Sequence, residues 1–124
     1  MKSLLLLLAL IPCTSFAETI LCVAEAGALV EDGGNQPATS SLANVSAHKF
    51  LLTKDNGKWV VKPLGKNYVL FDKCTSEYFC EHASGYAGAF LRSNEGTFSI
   101  TWQSPTLKNG RNQLVVAKGR CSTI

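Results

Sequence analysis

The sequence predicts an all-β domain: a small antiparallel sandwich or barrel of six to eight strands tied by two disulfides. Three observations predict it. Apolar and polar residues alternate at the period of a pleated strand, most plainly where Phe98, Ile100 and Trp102 alternate with Thr97, Ser99, Thr101 and Gln103. Turn signals such as Asn56-Gly57 and Asn94-Glu95-Gly96 divide the chain at the roughly 8–12-residue spacing of short antiparallel strands. An even set of four cysteines, Cys22, Cys74, Cys80 and Cys121, follows an N-terminal leader.

The leader comes first. Met1-Lys2-Ser3 carries a positive charge, Leu4 to Ile11 is apolar, Pro12 breaks the run, and Ser15-Phe16-Ala17 sets small residues before a cut ahead of Glu18. Residues 1–17 therefore read as a secretory signal peptide and 18–124 as a single domain. The apolar run is far shorter than the ~20 residues a bilayer core requires, and no other segment approaches that length. Leu10-Ile11-Pro12-Cys13 resembles a bacterial lipoprotein signal, but Pro12 stands where that signal needs a small residue, so no lipid anchor at Cys13 is expected. The expected location is the bacterial periplasm or the extracellular space.

Thr19 to Ala24 reads as a short apolar strand. Gly27 to Ser46, with Gly33-Gly34-Asn35 and Thr39-Ser40-Ser41, reads as a long loop with one weak turn of helix near Ser40 to Val45. His48 to Lys54 and Lys58 to Lys62 flank Asn56-Gly57, which supplies the positive φ angles of a tight hairpin. Asn67 to Asp72 reads as a strand buried on both faces, Tyr86 to Ser93 as another, and Thr97 to Gln103 as the half-wet strand noted above. Lys108-Asn109-Gly110-Arg111 turns the chain into a last strand, Gln113 to Lys118. Lysines 49, 54, 58, 62 and 66 cluster on one hairpin, as protection of an exposed sheet edge would require.

Four cysteines allow three pairings. Cys22–Cys121 with Cys74–Cys80 is preferred, because domain termini tend to lie close together. Chain entropy makes the long bracket the stronger, about 4.7 kcal/mol against about 2.4 kcal/mol for the small ring. Cys74-x5-Cys80-x-His82 has the wrong spacing for structural zinc, so no metal and no cofactor is expected.

Composition narrows function. A chain of 124 residues is too short for a dinucleotide-binding or (β/α)8 enzyme. Hydrophobic residues are 46% and charged residues 17%, enough for a core and too apolar for disorder. Net charge is +3, and setting Lys2 aside leaves eleven basic against nine acidic residues, too even for nucleic acid. No nucleophile elbow, phosphate loop or His-Glu-x-x-His is present. His48 reads as a solvated strand residue, and Trp59 and Trp102 as core. Tyr78 and Phe79, inside the Cys74–Cys80 ring, are candidate binding residues, and so is His82, beside the small residues Ala83-Ser84-Gly85.

The early Cys22 and the closing Gly119-Arg120-Cys121 resemble small exported proteobacterial proteins of unknown function that end in a Gly-x-Cys motif. That resemblance implies a compact β domain. Ala83-Ser84-Gly85-Tyr86 is similar to part of the interaction loop of periplasmic inhibitors of C-type lysozyme, of the MliC kind, with Tyr86-Ala87-Gly88 where those continue Ala-Arg-Tyr. It implies Ser84 and Tyr86 as contacts. The expectation is a non-catalytic binding protein whose partner is a protein or a cell-envelope component, with segments 74–88 and 27–46 as its binding loops. The alternatives are an inhibitor of a cell-wall hydrolase and a small hydrolase using His82.

Overall fold

The computed structural model describes residues 18–33, 35–82, 87–103 and 112–124. The strands are β1 (Thr19–Gly33), β2 (Gln36–Leu42), β3 (Lys49–Asp55), β4 (Lys58–Pro63), β5 (Phe71–Ser76), β6 (Phe79–His82), β7 (Ala87–Arg92), β8 (Thr97–Gln103) and β9 (Gln113–Thr123), with a 3-10 turn at Val45–Ala47. Every pairing is antiparallel, in the order β2-β1-β3-β4-β5-β6-β7-β8-β9, and β9 pairs again with β1. Eight strands thus close a barrel, and β2 is a ninth laid beside β1.

Alternation explains the core. Phe98 and Ile100 of β8 are buried and Trp102 is half-buried, on the face the sequence pattern assigns to the interior. On β9, Val115 and Ala117 point inward while Leu114, Val116 and Lys118 face out. β1 buries Ile20, Cys22 and Ala24, then bulges between Ala24 and Ala26. One extra residue reverses the faces, so Leu29 and Glu31 take the inner side above the bulge. Gly119 lies at this crossing, where a Cβ would stand 2.0 Å from the Val23 carbonyl oxygen. Asn56 (φ 50°) and Gly57 (φ 80°) form the tight β3–β4 turn expected from Asn-Gly.

Both disulfides join direct strand partners, Cys22 to Cys121 and Cys74 to Cys80. The first ties the seam where the first and last strands meet.

Several expectations are corrected. The segment 27–46 is not a loop: β1 continues to Gly33 and turns back as β2. All of β2 is exposed. It pairs with β1 through its backbone and, exposed throughout, leaves no hydrophobic alternation to read. The single helical turn falls at Val45–Ala47. Tyr68-Val69-Leu70 is not strand. Leu70 and Phe71 are buried because the loop tucks under the barrel rim, with the Leu70 N–H donating to the Val61 carbonyl at 2.7 Å. The Cys74–Cys80 ring is a hairpin, β5–β6. The lysine-rich strands β3 and β4 lie within the barrel wall, not at a sheet edge. The leader and the turn at 108–111 lie outside the described residues.

The wall is uneven in height. One edge of β1 pairs with β3 only from Thr19 to Val23, and β2 takes that edge from Ala28 to Gly33. The other edge pairs with β9 from Ile20 to Glu31. The sheet β2-β1-β9-β8 therefore continues beyond the β3–β4 rim.

Candidate functional site

A pocket of about 210 Å³ occupies the angle between the low rim and the tall wall. His48, Phe50, Trp102, Tyr68, Leu70 and Lys66 line it, together with Ala47, Pro63 and Leu64. None of these is acidic.

Local chemistry sets each wall. Asn44 caps the 3-10 turn, its side-chain oxygen accepting from the Ser46 N–H at 3.3 Å and the Ser46 hydroxyl at 2.6 Å. The His48 N–H donates to the Val45 carbonyl, and the His48 carbonyl accepts from Ala24 N–H, each at 3.0 Å. These bonds fix the backbone from which the imidazole enters the mouth. Across it, Leu64 N–H donates to the Lys49 carbonyl at 2.8 Å, and Lys66 N–H to the Pro63 carbonyl at 3.2 Å. Gly65, at φ 77°, makes that turn possible and brings Lys66 back to the rim.

The rings form a continuous stack running into the core. The His48 and Phe50 planes are 3° from parallel with centroids 6.5 Å apart. Trp102 meets both edge-on, 5.2 Å from His48 and 5.8 Å from Phe50. Phe50 continues to Phe98 at 6.1 Å, and Phe98 to Phe90 at 5.8 Å. Burial lowers the pKa of His48 below its ordinary value of 6.5, so the imidazole is uncharged at neutral pH.

The sequence-chosen residues separate. Tyr78 and Phe79 lie at the opposite end of the barrel, in the β5–β6 hairpin, and both are half-buried. Arg92 lies over the Tyr78 ring, 4.7 Å from its centroid, pairs with Glu77 at 3.4 Å, and donates through Nε to the Glu77 carbonyl at 3.2 Å. A hydrogen bond to Glu77 and that carboxylate's charge raise the Tyr78 pKa. His82 ends β6 at the mouth end, and Ser84 and Tyr86 lie outside the described residues. Among the described residues no cluster of three His, Cys, Asp or Glu side chains could hold a metal, and no helix is long and apolar enough to cross a membrane.

Sequence reasoning missed His48, Tyr68 and Lys66, and took Trp102 for core. The available signal was His48 two residues before Phe50, a spacing that puts both rings on one face of a strand. A second groove, of about 650 Å³, opens outside the wall, where β4 and β5 pair only at Val61 and Phe71. Trp59, Lys58, Lys73, Asp72 and Glu81 line it, a mixed set of charges that selects no ligand by sign. Comparison with protein-family models, with curated proteins and with solved structures finds no match for this chain.

Proposed function

We propose that this is an exported, non-catalytic binding protein that takes its ligand at the barrel mouth. One observation carries the reading: His48, Trp102 and Tyr68 converge with Lys66, the one cation among the described lining residues, on a concave space at the open end of a small barrel. The mouth of a β-barrel is one of the places where ligand pockets recur, and some eight-stranded barrels hold one small ligand. Tyr68 keeps 45% of its surface exposed, and it is an aromatic side chain left wet beside an apolar pocket. Export is supported by the leader-like residues 1–17 and by two disulfides, which persist in oxidising compartments.

The test uses the two tryptophans, which sit at opposite ends of the barrel. In a Trp59→Phe variant, Trp102 alone reports on the mouth. Phenylacetate, 2-phenylethanol and N-acetylglucosamine are titrated as probes. A saturable change with any of them supports the reading, and flat titrations with all three sink it.

A second reading, inhibition of a cell-wall hydrolase, is favoured by one feature. His82 and Ala87, which flank Ser84 and Tyr86, both stand at the mouth end. Purified protein at micromolar concentration would then inhibit a C-type lysozyme, and unchanged lysis rates dismiss it.

A further inference from the structure

We infer that the mouth pocket is built for a flat, single-ring guest carrying one negative charge, an aromatic monocarboxylate, with the ring against His48 and Trp102 and the carboxylate at Lys66. This rests on the mouth being a binding site, and it adds the chemical class of ligand.

Size comes first. The pocket holds about 210 Å³. Pockets for drug-sized ligands span roughly 300–1,000 Å³. At roughly 30 Å³ per water, this space displaces about seven waters, the volume of one substituted ring. A disaccharide exceeds it.

Shape comes second. His48 and Phe50 present parallel planes and Trp102 crosses them at 76° and 74°. Such a corner offers an entering ring both an offset face and an edge, the two geometries that aromatic pairs prefer. Leu70 and Leu64 complete an apolar lining that gains from excluding water.

Charge decides the class. Among the described residues, Lys66 is the only charged side chain in the lining, and none of them places a carboxylate there. Burial keeps His48 uncharged at neutral pH, so it adds no second positive charge and is free to pack as a ring. An amine guest would face Lys66 with no compensating acid among the described lining residues. A neutral guest would pack equally well but leave the ammonium unpaired. Because Lys66 is exposed, the pairing is modest: an exposed ion pair gives about 5-fold at most in affinity.

The experiment compares three guests of one shape: phenylacetate, 2-phenylethanol and phenethylamine. Trp102 fluorescence is followed in the Trp59→Phe protein with both disulfides intact, and calorimetry on the unmutated chain gives the ranking without a tryptophan substitution. We expect phenylacetate to bind about 3- to 5-fold tighter than the alcohol and the amine to bind weakest. Lys66→Gln, a change at an exposed position, is expected to erase the difference between acid and alcohol. Equal binding of acid and alcohol, or preference for the amine, overturns the charge assignment and leaves mouth binding standing. Tighter binding of N-acetylglucosamine than of any of the three overturns the aromatic assignment. A response that persists in Trp102→Phe and is absent in Trp59→Phe places the guest elsewhere and overturns both readings, as does no binding at all.

Discussion

Cys22 and Cys121, 99 residues apart in sequence, are direct partners on β1 and β9 with Cα atoms 4.0 Å apart. Their bond lies across the seam that turns a sheet into a barrel. Cys74 and Cys80 are equally direct partners, but only six positions apart. Removing the long bracket as Cys22→Ala with Cys121→Ala is expected to cost about 4.7 kcal/mol. Removing the short one in the same way is expected to cost about 2.4 kcal/mol, since loop-closure entropy grows with the logarithm of loop length. Urea unfolding of the two double variants measures both. Equal losses would mean that loop length is not what separates them.

Gly119 is required by space, not by conformation. A Cβ there would lie 2.0 Å from the Val23 oxygen and 2.8 Å from the Ala24 Cα, both backbone atoms that cannot swing aside. Gly119→Ala is expected to cost about 3 kcal/mol by forcing β1 and β9 apart. Gly57 is the contrasting case, with φ +80° and nothing within 4 Å of a Cβ. Gly57→Ala is expected to cost only about 1 kcal/mol, the strain of a left-handed backbone. Thermal unfolding of the pair checks the ranking, and a larger loss at Gly57 contradicts it.

Arg92 holds the turn of the β5–β6 hairpin with three contacts at once: the Glu77 carboxylate, the Glu77 carbonyl and the Tyr78 ring. Its side chain is only 12% exposed, so these contacts are poorly screened. Arg92→Ala is expected to cost about 2 kcal/mol. Arg92→Lys is expected to recover only part of that, because an ammonium lacks the planar fork that reaches carboxylate, carbonyl and ring together. Full recovery by lysine in denaturant titration would reduce the site to simple charge.

His48 makes stability depend on pH. Its folded pKa lies below the ordinary 6.5, so between those values the unfolded chain binds more protons than the folded one. Stability is therefore unaffected by this group above 6.5, falls as pH drops below it, and stops falling once the folded pKa is passed. His48→Gln is expected to flatten the decline between neutral and mildly acidic pH, read as the change in melting temperature. An unchanged slope would assign the decline to other groups.

Strand identity was legible in the sequence wherever a strand has one dry and one wet face. β8 alternates cleanly because Phe98 and Ile100 enter the core while Thr97 and Ser99 do not. The β3–β4 turn was legible because Asn56-Gly57 is local chemistry. β2 was not, because all its residues are exposed and no buried face marks it. The Tyr68-Val69-Leu70 run misled, because burial by a tucked loop looks the same as burial in a strand.

The sequence by itself determined an all-β chain, its main turns and the preferred disulfide partners. All of these depend on periodicity, local turn geometry or the closeness of termini. Only the tertiary structure decided that the sheet closes on itself, that Tyr78 and His82 stand at opposite ends, and that His48, Tyr68 and Trp102 meet. The physical reason is that β3, β8 and the loop before β5 become neighbours through barrel closure and unequal strand lengths. No short stretch of residues encodes either property.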